Sequence, residues 1–397
     1  MRILWVKAGK LLPVDTGGKI RSYNLLKHLS SENDTTLLTY YDGPRDSSYE
    51  QQITQQFSAV AINTGLSQSK QGQVLNYLKC LPLSAPFAVS KFTSTQVKRR
   101  IREWDKEGKF DVLISDFLSA SWNFDSSLKT PTVLFQHNVE SALWQRQAKH
   151  EANAVKNIAF KLEASKMLKY ETDAVKRFDH VIAVSNHDRD LMSKMTYREK
   201  ISVVPTGVDL VEFAKEGSGD EIVEPIVLFL GSMDWPANVD GVDFFCREVW
   251  QQVKTAVPEA KFYIVGRNPP PRITKLASDS IVVTGRVESV MPFIRKAAVF
   301  IVPLRIGGGT RLKIYEAMAA GKAVVSTSVG AEGLDFHDGE DILIADEADK
   351  FASDVVELLV NKDRRIKLGG SAAKLAAQYD WATIAKRFEE ILRKARS

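Results

Sequence analysis

A chain of 397 residues, 44% hydrophobic and 26% charged, has the make-up of a folded protein, at about 100–200 residues per domain one of two or three domains. That composition excludes a disordered, collagen-like or disulfide-scaffold chain. The formal net charge of +5, from 54 Lys and Arg against 49 Asp and Glu, is too small to argue for a nucleic-acid partner. It is unevenly spread: residues 1–205 carry 29 basic and 21 acidic side chains, a net of +8, and the remainder is net −3, so the two halves are expected to meet different partners.

The N-terminus, Met1 to Lys7, enters a strand pattern at once and shows no charged segment followed by an apolar stretch and a cleavage site. Only two cysteines are present, Cys80 and Cys246, far apart in sequence, which fits a reducing compartment. No apolar run approaches the roughly 20 residues of a membrane span. These features predict a cytoplasmic protein whose membrane contact, if any, is peripheral.

Short apolar runs recur along the chain: Ile3–Val6, Thr36–Tyr40, Ala59–Ile62, Val112–Ser115, Thr132–Phe135, Val181–Val184 and Ser202–Val204, then Ile226–Leu230, Lys261–Val265, Ile281–Thr284, Val299–Val302, Ala323–Ser326 and Ile342–Ala345. Most are apolar on both faces, as in strands covered on both sides of a parallel sheet. Amphipathic stretches such as Tyr23–Leu29, Val97–Trp104, Val242–Val253 and Lys313–Ala320 lie between them. The alternation predicts α/β architecture with two doubly wound parallel-sheet domains. The boundary is expected at Val204–Asp209 or in the polar segment Lys215–Glu224. One long helix is expected over Ser141–Phe178, rich in lysine; it reads as a solvated face or as a surface for an anionic membrane or a lipid-phosphate acceptor. Trp381–Lys394 reads as a last helix with one apolar stripe.

The segment Val302 to Gly321 reads as strand, glycine loop and helix. Gly307, Gly308 and Gly309 allow backbone N–H groups to approach a ligand, and the helix start adds partial positive charge. Thr310 is a candidate N-cap and Gly321 a candidate C-cap. Arg311 and Lys313 place two full charges beside the loop, an anion site suited to a diphosphate. Glu316 lies one turn past Lys313 and has two readings: a side-chain partner for Lys313, or a carboxylate that accepts hydrogen bonds from ribose hydroxyls.

With these motifs in view, the chain resembles a family 4 retaining glycosyltransferase of the GT-B fold, in which two Rossmann-like domains face a cleft. The Gly307–Gly321 segment resembles the donor-site signature, and the other motifs fall in the family's order: Thr16-Gly17-Gly18-Lys19, Gln136-His137-Asn138, Val184-Ser185, Pro205-Thr206-Gly207-Val208-Asp209, Gly231-Ser232-Met233 and Gly285-Arg286-Val287. The resemblance implies an acceptor-binding domain over 1–205, with the C-terminal helix 381–397 packing back on it, and a donor domain over 206–380. It implies that Gly17 and Gly18 approach the donor, and that His137 contacts the transferring sugar and helps stabilise positive charge at the anomeric carbon. Donor-binding residues are then Gly231, Ser232, Met233, Arg286, Val287, Gly308, Gly309, Thr310, Arg311, Leu312, Lys313 and Glu316, with Arg311 and Lys313 also catalytic. Asp116 and Asn138 are acceptor-side candidates, although Asp116 reads equally as a loop cap.

Two departures from the family pattern stand out. Many members place an Arg and a Lys shortly after the strand that ends at Leu230; this chain has Asp234-Trp235-Pro236-Ala237-Asn238 and no basic residue until Arg247. The Glu found eight residues before Glu316 in many members is Gly308. Arg311 and Lys313 are therefore expected to neutralise the diphosphate. No metal or other cofactor is expected: the six histidines lack ligand spacing, and Asp188-Arg189-Asp190 reads as helix capping after Ser185. The expected reaction is transfer of a hexose from a UDP-sugar, UDP-glucose first, to a saccharide or lipid-linked saccharide. The alternatives are a nucleotide-sugar epimerase of the same fold and a non-catalytic two-domain sugar-binding protein.

Overall fold

The computed structural model describes residues 1–65, 85–150, 153–214, 224–306 and 312–396. The chain divides into two compact units: residues 1–205 with 381–397, and residues 206–380.

The first unit is built on seven parallel strands: β1 (Arg2–Ala8), β2 (Asp34–Tyr41), β3 (Ser58–Asn63), β4 (Val112–Asp116), β5 (Thr132–Phe135), β6 (His180–Ala183) and β7 (Ile201–Val203), in the order β3-β2-β1-β4-β5-β6-β7. The second has six: β8 (Glu224–Leu230), β9 (Lys261–Val265), β10 (Ile281–Gly285), β11 (Ala297–Val302), β12 (Ala323–Ser326) and β13 (Leu343–Ile344), in the order β10-β9-β8-β11-β12-β13. Every pairing is parallel. Each expected apolar run overlaps one of these strands. Both sheets are doubly wound, and strand order reverses between β1 and β4 and between β8 and β11. Ligands in such sheets bind at the carboxyl ends of the strands on either side of that reversal.

Burial explains the sheets. Ile3, Leu4, Trp5 and Val6 are wholly buried, as are Val227, Leu228 and Phe229 of β8 and Val299 to Val302 of β11. The C-terminal helix Trp381–Arg396 belongs to the first unit and buries Trp381, Ile384, Ala385, Phe388 and Leu392. Phe388 sits between Trp5 and Phe135, with ring centroids 5.6 and 5.0 Å away. Full burial of such a ring stabilises by about 1.5–3 kcal/mol.

Two local findings differ from the sequence expectation. The stretch Ser141–Phe178 is two helices, Glu140–His150 and Ala154–Arg177, which pack on each other. Asn153 starts the second: its backbone is extended and its side chain accepts from Lys156 N, capping the helix that begins at Ala154. The helical stretch Val242–Val253 is interrupted by a π-helical turn at Phe245–Val249. Gly321 ends the helix Leu312–Ala319 in the left-handed region at φ +66°, where glycine carries no steric cost.

Candidate functional site

Two constellations lie at the two points where strand order reverses. In the first unit, Lys7 of β1 and Asp116 of β4 are register partners at the strands' carboxyl ends. Lys7 Nζ donates to Asp116 Oδ2 at 2.9 Å and to Ser22 Oγ at 3.2 Å. Ser22 Oγ in turn lies 2.7 Å from Asp116 Oδ2. His137, just past β5, lies with Nε2 2.8 Å from Asp116 Oδ1, and Arg21 Nη1 lies 3.1 Å from His137 Nδ1. A guanidinium only donates, so Nδ1 accepts from Arg21 and the ring proton sits on Nε2, donated to Asp116. Lys7, Arg21, Ser22, Asp116 and His137 are all buried.

This burial governs their charge. Shielding from water pushes the His137 imidazole down to about 3; Asp116 opposes that fall, and Arg21 and Lys7 add to it. Burial alone would raise the Asp116 carboxyl, but Lys7 and His137 hold it well below the usual range. Burial also lowers the Arg21 guanidinium to about 10, against the attraction of Asp188 and Asp116. The site therefore holds a neutral histidine beside an ion pair. The histidine is neutral when folded and protonates near 6.5 when unfolded, so its contribution to stability is complete above pH 6.5 and is lost as pH falls from there toward 3. Urea midpoints measured across that window should fall with acid, by at most about 1.4 kcal/mol per pH unit for this one proton. A His137→Gln variant should show a flatter profile; equal slopes would count against a buried neutral imidazole.

The sequence-derived residues of this unit fall as follows. Gly17 is exposed and Gly18 half-buried, at the start of the helix Gly17–Glu32. A Cβ at position 18 would collide with Cζ of Phe117, so the absence of a side chain there already has a packing reason. Asp116 is wholly buried and serves Lys7, Ser22 and His137. His137 is likewise covered, with Phe117 stacked on it at 3.6 Å between centroids and 12° between planes. Asn138 is half-buried, and its side chain bonds the carboxyl of Glu140. Burial and Glu171 push that carboxyl up to about 7. Ser185 caps the helix Asn186–Met192, accepting from Asp188 N at 3.0 Å, and Asp190 pairs with Arg198 at 2.6 Å.

In the second unit, Lys313 reaches from the helix Leu312–Ala319 to the carboxyl end of β8. Its Nζ donates to Leu230 O at 2.7 Å and Asn238 Oδ1 at 3.2 Å, and lies 4.5 Å from the centroid of Phe229. Asn238, buried in the first turn of the helix Pro236–Phe244, donates to Ser232 O at 2.7 Å. Lys313, Gly231, Ser232 and Asn238 thus form one cluster. Met233 is buried beside it, its N–H on Arg267 O at 3.0 Å. Gly266 makes room for this edge, since a Cβ there would run into Gly231 O. Glu316 is half-buried, and its carboxyl is pushed up to about 7, chiefly by burial and then by Glu212, while Lys313 opposes the rise. Gly285 turns the chain after β10 at φ +70°; Arg286 beyond it is exposed and Val287 half-buried. Leu312 opens the helix Leu312–Ala319 and is half-buried. Gly308, Gly309, Thr310 and Arg311 lie outside the described residues.

Several residues of these clusters escaped the sequence reading. Lys7 was visible as a lone charge inside an apolar strand, and Arg21 and Ser22 as polar residues on the inner face of a helix. Asp234, Arg267 and Asn268 gave no signal. Asp234 accepts from Ser232 Oγ at 2.9 Å, Arg267 Nε at 3.0 Å and Asn268 Nδ2 at 2.9 Å, which holds its carboxyl below the ordinary range. Arg267 follows β9, so a basic group does stand beside the end of β8, supplied from the neighbouring strand.

Comparison with known proteins follows the same division. Residues 17–212 match the family described as Glycosyltransferase Family 4, and residues 224–361 the family described as Glycosyl transferases group 1. An uncharacterised 44.6 kDa protein of the cps region of Klebsiella pneumoniae is 24% identical over 375 residues, 91% of each chain. A phosphatidyl-myo-inositol mannosyltransferase of Mycolicibacterium smegmatis is 24% identical over 295 residues, 72% of each chain. Among solved structures, HepE of Anabaena in complex with UDP aligns with a TM-score of 0.71 at 14% identity, covering 99% of this chain and 100% of that one. That likeness shows the GT-B fold class.

Proposed function

The chain belongs to the family 4 glycosyltransferases, and from that premise we propose that it moves a hexose from a UDP-linked donor to a saccharide or lipid-linked saccharide, with retention at the anomeric carbon. The observation that carries this reading is the ammonium of Lys313 held 2.7 Å from Leu230 O, at the carboxyl end of β8 beside the strand-order reversal. A nucleoside diphosphate binds at that edge of the second unit. Lys313, with Arg311 and Arg267, supplies positive charge for the leaving diphosphate. Glu316 takes the ribose hydroxyls, and the backbone at Gly285–Val287 takes the base. UDP as the carrier is supported by the Anabaena protein, whose structures include complexes with UDP and with UDP-glucose. The mannosyltransferase relative, named for a phosphatidyl-inositol acceptor, supports a lipid-linked acceptor.

Charge at the leaving group comes from these cations, so the proposed reaction needs no metal. The leaving phosphate oxygen takes the acceptor proton while the acceptor oxygen attacks from the same face. Acceptors dock on the basic first unit, in the cytoplasm at the inner face of a membrane. Ile158 and Leu162 of the helix Ala154–Arg177, 70% and 47% exposed beside Lys161, suit peripheral contact with anionic lipid. No helix among the described residues is long and apolar enough to cross a membrane.

The test is incubation with a panel of UDP-, GDP- and ADP-sugars, with and without EDTA. Slow release of UDP from a UDP-hexose, unaffected by EDTA, is the expected result. Interconversion of sugars without acceptor would favour an epimerase, and loss of activity in EDTA would contradict the metal-free reaction.

A further inference from the structure

Asp234 ties together the two loops that leave the carboxyl ends of β8 and β9. The loops run close because Gly266 has no side chain; a Cβ there would lie 1.8 Å from Gly231 O. Backbone bonds fix their alignment, Gly231 N on Val265 O and Met233 N on Arg267 O, each at 3.0 Å. The Asp234 carboxylate accepts from its own loop through Ser232 Oγ at 2.9 Å. From the facing loop it accepts through Arg267 Nε at 3.0 Å and Asn268 Nδ2 at 2.9 Å. Asn268 turns to meet it at φ +54°, in the left-handed region that asparagine tolerates.

Arg267 Nε also reaches Ser232 Oγ at 3.1 Å. Ser232 is therefore shared: its hydroxyl accepts from Arg267, and its carbonyl accepts from Asn238, whose own Oδ1 accepts from Lys313. One chain of hydrogen bonds runs from Lys313 through Asn238 and Ser232 to Arg267. The two cations stand at its ends, at the sheet edge where ligands of doubly wound folds bind. The side chains of Arg267 and Asp234 are 34% and 48% exposed, within reach of a ligand from solvent. Ion pairs as exposed as this one contribute little to stability, so holding the fold together is a poor account of three donors gathered on one carboxylate.

We propose that Asp234 is a positioning residue: it holds the Arg267 guanidinium for the diphosphate of the donor, so that the second unit meets that group with two cations on one network, Lys313 and Arg267. The proposal rests on the donor reading above and goes beyond it in naming what aims Arg267. A long side chain that is already ordered loses less rotamer freedom when the ligand arrives. The carboxylate also repels a diphosphate, so its removal has two opposed effects. Orientation is the larger one in this assignment, which gives the test a sign.

The experiment titrates UDP and UMP into wild type, Arg267→Ala, Asp234→Ala, Asp234→Asn and the Arg267→Ala/Asp234→Ala double variant, with a melting curve for each. Wild type should prefer UDP to UMP. Arg267→Ala should lower UDP affinity by about ten-fold or more, the scale of losing a hydrogen bond to a charged group, with a smaller effect on UMP. Asp234→Ala should shift the UDP-to-UMP preference in the same direction, and Asp234→Asn, which keeps an acceptor oxygen, should recover part of it. The double variant should bind UDP no more weakly than Arg267→Ala, because Asp234 acts through that arginine. A folded Asp234→Ala protein with wild-type or tighter UDP binding overturns the assignment. Equal losses for UDP and UMP, the mark of a loop tie alone, overturn it, as do additive losses in the double variant. A wild type that binds neither nucleotide overturns the donor reading, and this assignment with it.

Discussion

Alanine in place of Lys313 is expected to lower turnover with a UDP-sugar by about 100-fold or more, the scale of losing one preorganised group that meets charge as it develops. The reason lies in how the ammonium is held. Leu230 O, Asn238 Oδ1 and the face of Phe229 fix it at the end of β8, where the proposed reaction places the leaving diphosphate. Arginine should rescue poorly, because a Cβ at Gly231 would already approach Lys313 Nζ to 3.0 Å and a forked guanidinium is larger. Losing the ammonium also leaves Leu230 O and Asn238 without that donor, at about 1–3 kcal/mol, so melting curves must accompany the kinetics. Arg311→Ala should cost a comparable factor. Near wild-type turnover in a folded Lys313→Ala protein would remove the phosphate assignment.

The second large effect concerns stability. Asp116→Leu should destabilise the first unit by about 3–5 kcal/mol, because it leaves the buried Lys7 ammonium without its counter-charge. The carboxylate also accepts from Ser22 and His137, so the loss reaches three partners. Adding Lys7→Met removes the stranded charge, and the double variant should recover a large part of the loss. Urea unfolding of the two single variants and the double variant measures the coupling. Strictly additive costs would mean that the pair is not an interacting unit.

The sheets were legible in the sequence because their strands are covered on both faces and read as continuous apolar runs. Lys261–Val265, Thr132–Phe135 and Ala323–Ser326 agree to the residue, since a turn or helix signal bounds each of them. The break at Asn153 was not legible, because helical periodicity resumes directly after it and a single cap residue carries the whole signal. In the first unit, the motif residues lie at the strand ends, but their surroundings were not legible. His137 and Asp116 lie together, buried with Lys7, which the register of β1 on β4 sets beside Asp116, and with Arg21, which the helix Gly17–Glu32 brings to His137. The backbone of Phe117 leaves no mark in a sequence, because phenylalanine at positive φ is held by tertiary contacts. Arg267 beside Asp234 was hidden for the same reason: the β8–β9 register brings together residues 33 positions apart.

Calorimetric titration of UDP, GDP and ADP into the wild-type protein and Lys313→Ala tests the central claim most directly. The account predicts saturable UDP binding to the wild type, weaker binding of the other two nucleotides, and loss of UDP affinity in Lys313→Ala without loss of fold. Absence of UDP binding to the folded wild-type protein, or equal binding to both proteins, would contradict it.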